Sequence, residues 1–400
     1  MSRFLFVVPP LLGHVNPARG LAAALVADGH QVAWVGSEMS LRPMLGPGAV
    51  IYRTGTRIHR PQADQGLASV KSLWERFIVP FTRFTLPAVA KAVSDYRPDV
   101  VVTDQATPAG GLVAHREGLP WTTLVCSTME LDRPFRSLPK VESWMTGQLA
   151  GLWSEAGLPE ADYLDLRFSP HQMIVFATAA YTGGYPRPDG GPVSTVHQVG
   201  PAIGHRADDP DFDWDWLDPA RKHVLVSVGT LAAELADGFY RRAVAALAPM
   251  ADQLQAIVVA APGTIEDPPD HVLVLPKVPQ LQLLPRLDAV LGHGGLNTVA
   301  ESLAHGVPLV IAPIRHDQPI NARLVQQAGA GLRVRFARAS PAELGTAVRT
   351  VLTEPGYRTA AERIRESGGQ AGGLPEAARQ VAGLVGRSAD RQLAASTAIT

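Results

Sequence analysis

Several common features are scarce in this chain. It carries one cysteine, Cys126, in 400 residues, which excludes an internal disulfide and a multi-cysteine metal site and fits a reducing cytoplasm. Cationic and anionic side chains nearly cancel, 36 against 37, for a formal charge of −1. The Lys and Arg are scattered, without interleaved base-stacking aromatics, which argues against a nucleic-acid partner. No stretch approaches the ~20 apolar residues that cross a bilayer, so no transmembrane segment is predicted. Residues 4–8 are apolar, but Pro9 and Pro10 interrupt them and no small-residue cleavage pattern follows; they read as a first strand, not a secretory leader. The turn after that strand lacks Gly-x-Gly-x-x-Gly, so this half is not expected to bind a dinucleotide. No Asp-x-Asp motif with a metal role is found, and neither a metal nor a cofactor is expected.

What is present is apolar patterning over a length that exceeds one compact core: 46% of residues are hydrophobic, and two domains are expected. Residues 4–8 as a strand, a loop over 11–16, a helix over 17–27 and a strand over 31–35 make one β-α-β unit. A buried strand is predicted at 100–103, and the apolar run 121–125 reads as buried beside Cys126. Between Pro201 and Pro219 the pattern gives way to Asp208-Asp209-Pro210-Asp211 with Trp214 and Trp216, which reads as a linker pinned by its tryptophans. A second alternating series follows, with strands at 223–228, 256–260, 272–275, 289–291 and 309–312. Helices are predicted over 341–352 and 357–385, broken by glycines at 368–373. The expected layout is α/β: domain 1–205, linker 206–220, domain 221–387 and a loose tail 388–400, the two domains facing each other across a cleft.

The densest signal runs from Gly292 to Ala322. A short strand ends at His293-Gly294-Gly295, and Leu296, Val299, Ala300, Leu303 and Ala304 then recur at helical spacing. Gly294 and Gly295 have no β-carbon to hold an anion off the backbone, and the first N–H groups of the helix are unpaired at the positive end of its dipole. Asn297 and Thr298 add side-chain donors, and Glu301, one turn below Asn297, can accept from ribose hydroxyls. Gly306 ends the helix and Pro308 opens the next apolar run.

His293-Gly294-Gly295, Asn297-Thr298, Glu301, Gly306, Pro308, Pro313, Asp317-Gln318 and Asn321-Ala322 together resemble the donor signature of family 1 glycosyltransferases. The bacterial macrolide and natural-product branch is the most similar. Gly13-His14-Val15-Asn16-Pro17, Asp104-Gln105, Gly110-Gly111, Ser227-Val228-Gly229-Thr230 and Val278-Pro279-Gln280-Leu281 fall in the family's order, so the resemblance covers nearly the whole chain. It implies a GT-B fold, two Rossmann-like domains with the last helix crossing back to the first, and sugar transfer from a UDP- or TDP-sugar to a hydrophobic small molecule.

Such a transfer needs a base, an in-line anomeric carbon and a site for the departing diphosphate. His14, on the rim after the first strand, is the expected base, with Asp104 orienting and charge-stabilising its ring; on its own Asp104 would read as a helix cap. His293, Gly294, Gly295, Asn297 and Thr298 are expected to hold the diphosphate, with Ser227 and Thr230 closing over the β-phosphate. The resemblance assigns Val278 and Gln280 to the pyrimidine, although Lys277 stands where many relatives stack a tryptophan, which leaves uridine or thymidine open. It assigns Asp317 and Gln318 to the sugar hydroxyls, the alternative for Asp317 being a helix cap. The stripe Leu73, Trp74, Phe77, Ile78, Phe81 and Phe84 reads as domain core before acceptor surface, and acceptor contacts are expected from loops over 53–71 and 133–158. A nucleotide-sugar epimerase and a non-catalytic donor-binding auxiliary protein are the competing readings, and a homodimer is left open.

Overall fold

A computed structural model describes residues 1–56, 64, 66–184, 195–204, 206, 209–229 and 233–386; Thr230 and the expected tail 388–400 lie outside them. Short runs of Val, Ile, Leu and Phe without polar alternation suit strands buried on both faces, which is the pattern of a parallel sheet covered by helices. Two such sheets form. The first contains β1 (Arg3–Val7), β2 (Gln31–Gly36), β3 (Val50–Arg53), β4 (Val100–Asp104), β5 (Trp121–Val125), β6 (Gln172–Val175) and β7 (Thr195–Gln198), in the order β3-β2-β1-β4-β5-β6-β7. The second contains β8 (Lys222–Ser227), β9 (Leu254–Val259), β10 (Val272–Leu275), β11 (Ala289–Gly292), β12 (Leu309–Ile311) and β13 (Gly331–Arg333), in the order β10-β9-β8-β11-β12-β13.

All pairings in both sheets are parallel; Phe4 lies opposite Val32 and Val100, and Val224 opposite Ala256 and Ala289. The chain reverses its direction of travel across each sheet at one place, between β1 and β4 and again between β8 and β11. That reversal splays the connecting helices apart and leaves a crevice beyond the carboxyl ends of the strands. His14 follows β1, Asp104 ends β4, Ser227 ends β8 and His293 follows β11. The topology alone therefore brings the expected residues to the two crevices.

Helix Gly373–Ala382 belongs with the first sheet: Ala377, Ala378, Val381 and Leu384 share a buried cluster with Phe4, Phe6, Val15 and Leu21. Hydrogen bonds fasten it there, Gly373 N–H donating to Val199 O at 2.8 Å and the Gln172 side-chain Nε2 to Gln380 O at 3.1 Å. The return of the chain to the first half, implied by the family resemblance, is thus present. Trp214 and Trp216 pack against a buried cluster, and the Arg286 guanidinium lies 4.2 Å from the centre of the Trp214 ring.

Two local expectations need correction. The first helix spans Leu12–Ala27 and absorbs the expected loop 11–16. Pro17 does not open the helix, since one full turn precedes it; a helix tolerates Pro so close to its start because few N–H groups there have partners anyway. Segment 133–158, expected to be an acceptor-side loop, is largely the helix Pro139–Glu155, whose Met145, Leu149, Leu152 and Trp153 are buried. In the apolar stripe, Trp74, Phe77, Ile78 and Phe81 are at most 5% exposed, which makes them core, while Leu73 and Phe84 pack partly buried against it. No helix among the described residues is long and apolar enough to cross a membrane.

Candidate active site

His14 sits in the first turn of helix Leu12–Ala27, and its Nδ1 lies 2.8 Å from Oδ2 of Asp104. The carboxylate has no exposed surface, whereas a fifth of the His14 side chain is exposed. Oδ1 of Asp104 accepts from Ala106 N–H at 2.8 Å, so the carboxylate is held from both ends and makes no cap on the helix after it. With Nδ1 turned to Asp104, Nε2 is the ring nitrogen left for a substrate proton. Burial lowers the His14 pKa, but the charge and hydrogen bond of Asp104, with Asp317 across the cleft, outweigh it and leave the pKa above its ordinary 6.5. Cys126, just past β5, stands beside the pair: its sulfur and the ligand atoms of His14 and Asp104 lie within 4.8 Å of one another. Burial, and then the neighbouring Asp104, hold its thiol pKa well above the usual value, so it stays a neutral thiol.

The opposite wall is the turn between β11 and helix Leu296–Ala304. Gly294 has φ +86°, and a β-carbon there would lie 2.6 Å from Ile311 Cγ2, so both the backbone and the space require glycine. Gly295 N-caps the helix without a side-chain cap bond, leaving first-turn N–H groups for an anion. The His293 ring is packed so tightly that a β-carbon on Gly229 or Gly295 would lie 2.7 Å from it. Its Nδ1 is buried without a partner among the described residues. Burial, with Arg315 assisting against a hydrogen bond to the Ser227 backbone, lowers its pKa to about 4. Ser227 is buried at the end of β8, and its Oγ accepts from Gly229 N–H at 3.4 Å. Thr230 lies outside the described residues.

The two walls meet through named bonds. Asn297 Nδ2 donates to Gly13 O at 2.9 Å. That carbonyl is available for a reason visible in the sequence: its intrahelical donor would be residue 17, and Pro17 has no N–H. Asn321, fully buried, donates to Gly294 O at 2.8 Å, while its Oδ1 accepts from Thr128 Oγ1 at 2.7 Å and from the Tyr181 hydroxyl at 3.1 Å. Arg323 pairs with Asp132.

The remaining expected residues fall into two groups. Gln280 and Glu301 come together, Gln280 Nε2 donating to Glu301 Oε2 at 2.7 Å, and Val278 is buried two residues before Gln280. Asp317 and Gln318 are engaged with the protein itself. Asp317 makes no cap bond on its helix; burial raises its pKa against bonds from Asn321, the Thr128 backbone and Ser127, and against the charge of His14. Gln318 Oε1 accepts from Ile314 and Arg315 N–H at 2.8 and 3.0 Å. The sequence reading missed Thr128, Tyr181 and Arg206, which ion-pairs with Glu301. Thr128 follows β5 on the same carboxyl rim as His14 and Asp104, and that rim could have pointed to it; nothing local marks Tyr181 or Arg206.

Comparison with known proteins agrees with this fold. A family model described as UDP-glucoronosyl and UDP-glucosyl transferase matches residues 173–366. The chain is 28% identical to 4′-demethylrebeccamycin synthase of Lentzea aerocolonigenes, over 96% of this chain and all of that protein. It is 27% identical to demethyllactenocin mycarosyltransferase of Streptomyces fradiae, over 97% of this chain and 88% of that one. Among solved structures, the glycosyltransferase of kitacinnamycin superposes with a TM-score of 0.79 at 25% identity, covering 96% of this chain and 99% of that one. Two facing parallel-sheet halves, a helix N-terminus suited to diphosphate and these likenesses converge: the chain is a nucleotide-sugar-dependent glycosyltransferase of GT-B fold, similar to the bacterial natural-product branch of family 1.

Proposed function

We propose that this chain transfers a hexose or deoxyhexose, with inversion and without a metal, from a UDP- or TDP-sugar to a hydroxyl of a hydrophobic natural-product acceptor. The observation that carries the reading is the contact of His14 with the buried Asp104 at 2.8 Å, on the wall facing the anion-binding helix start and joined to it through Gly13 and Asn297.

In this mechanism the neutral imidazole takes the acceptor's hydroxyl proton on Nε2 while Nδ1–H keeps its bond to Asp104, whose charge stabilises the imidazolium that forms. The freed oxygen attacks the anomeric carbon from the face opposite the diphosphate, so the new C–O bond forms as the bond to phosphate breaks and the configuration inverts. Charge gathering on the departing diphosphate is met by the N–H groups of Gly295 to Thr298 and by Asn297, with Ser227 above the β-phosphate. Val278 and Gln280 serve the pyrimidine, Glu301 the ribose, and Asp317 and Gln318 the transferred sugar once it displaces their bonds to the protein. The first half of the chain would hold the acceptor and the second the donor, and the single buried cysteine suits a reducing cytoplasm.

The test is release of nucleoside diphosphate from UDP-glucose and TDP-glucose over a panel of phenolic and macrolactone alcohols, with and without EDTA. Acceptor-dependent release that survives the chelator is expected. Loss of activity in EDTA that Mg²⁺ restores would overturn metal independence, and release without any acceptor would overturn transfer.

A further inference from the structure

Asn321 stands in the stretch that marks the sequence, yet it takes no part in the transfer chemistry. It is fully buried, and both faces of its amide are occupied. Nδ2 donates to Gly294 O at 2.8 Å and to Asp317 Oδ2 at 3.3 Å, while Oδ1 accepts from Thr128 Oγ1 at 2.7 Å and from the Tyr181 hydroxyl at 3.1 Å. Turned over, the amide would set its oxygen against a carbonyl and a carboxylate, so its orientation is fixed. Thr128 and Tyr181 come from the first half, one just past β5 and the other in the short helix Ala179–Thr182 after β6, and both are buried.

Gly294 is the pivot of the turn that opens the anion-binding helix. With φ +86° and no β-carbon, its backbone has little conformational preference of its own, so an outside contact must fix the peptide plane that follows it. That peptide joins Gly294 to Gly295. It is planar and trans, so its N–H points opposite to its C=O. Holding Gly294 O therefore aims Gly295 N–H, the first of the donors that meet the diphosphate. The hold is only as firm as Asn321, and Asn321 is steadied by two hydroxyls of the other half.

We propose that Thr128 and Tyr181 are positioning residues for the donor diphosphate: through Asn321 they keep Gly295 N–H turned toward the phosphates, so the grip is complete only while the two halves are closed on each other. This role rests on the reading of the helix start as the diphosphate site. It gives two hydroxyls of the acceptor-side half control over affinity for a ligand bound by the other half, and it gives Asn321 a function beyond packing.

The test is calorimetric titration of the full chain with UDP and dTDP, followed by competition of uridine and thymidine against whichever diphosphate binds, which reads the phosphates apart from the nucleoside. Thr128→Val and Tyr181→Phe each delete one hydroxyl and nearly keep the shape. Either alone should weaken diphosphate binding about threefold, and the two together about tenfold, with nucleoside binding within about twofold of wild type. Thr128→Ser, which keeps the hydroxyl, should bind the diphosphate as wild type does. Diphosphate affinity within about twofold of wild type in the double variant, its fold checked by thermal melt, overturns the role. Equal weakening of diphosphate and nucleoside overturns it too, because that is a loosening of the whole cleft, and so does a Thr128→Ser chain as weak as Thr128→Val. If the double variant does not fold, the single variants decide by the same comparison. If neither UDP nor dTDP binds the wild-type chain, the donor-site reading itself falls and takes this role with it, so the two failures are distinguishable.

Discussion

Asp104→Asn is the substitution whose consequence the geometry fixes most tightly. Asparagine has the shape of aspartate, and Asp104 has no exposed surface through which a replacement could turn to solvent. Ala106 N–H, 2.8 Å from Oδ1, requires an acceptor, so the amide must keep its oxygen there and present its NH₂ group to His14 Nδ1, 2.8 Å from the other end. An NH₂ group only donates. Nδ1 must then accept, and the proton of the neutral ring moves to Nε2, the nitrogen that has to receive the acceptor's proton. The base is disabled although no heavy atom needs to move. Loss of general-base catalysis costs roughly 10²–10⁴-fold in kcat, or about 3–5 kcal/mol of transition-state stabilisation. The assay is steady-state release of nucleoside diphosphate with saturating donor and an acceptor identified from the panel, alongside calorimetric donor affinity, which should change by less than about twofold because the donor contacts lie on the other wall. A variant that turns over within about threefold of wild type would refute both the tautomer argument and the role of Asp104.

Other outcomes follow from the same geometry. Because the base works only when neutral and its pKa is raised by Asp104 and Asp317 against burial, kcat/KM should fall on the acid side with an inflection above 6.5; an acid limb at or below 6.5 contradicts the assignment. Asn297→Ala removes the donor to Gly13 O, and Pro17→Ala gives that carbonyl a competing intrahelical partner; each should cost about 0.5–1.5 kcal/mol in kcat/KM. In a double-mutant cycle the two losses should overlap, and strict additivity would show that they do not act on one bond. Gly294→Ala forces a β-carbon to 2.6 Å from Ile311 Cγ2 at φ +86° and should destabilise the fold by about 2 kcal/mol or more in urea unfolding; an unchanged midpoint would contradict the steric reading.

The sequence made the architecture readable where burial writes itself as an unbroken apolar run: β1, β2, β4, β8, β9, β11 and β12 were each expected within two residues of where they lie, and so was the partly buried edge strand β10. β3, β6, β7 and β13 were not foreseen: short strands such as Thr195–Gln198 or Gly331–Arg333 carry exposed and polar positions and do not differ locally from loop, and β6, though buried throughout, is only four residues long. The helix from Leu12 was hidden by Pro17, whose usual place at a helix start outweighed the residues before it. The expected site residues share the rims of the two crevices because β-α-β order alone fixes where strand ends lie. Their partners across the cleft were not readable. Thr128 and Tyr181 reach Asn321 from 193 and 140 residues away in sequence, and Arg206 reaches Glu301 from 95; no local pattern encodes such pairings.

The central claim is that one wall grips the diphosphate while His14, on the other, removes the acceptor's proton, and His14→Ala tests it most directly when turnover and donor affinity are measured on the same preparation. A fall in kcat of roughly 10²–10⁴-fold with donor affinity nearly unchanged is the predicted result. Near-normal turnover, or a loss that tracks weakened donor binding, would contradict it.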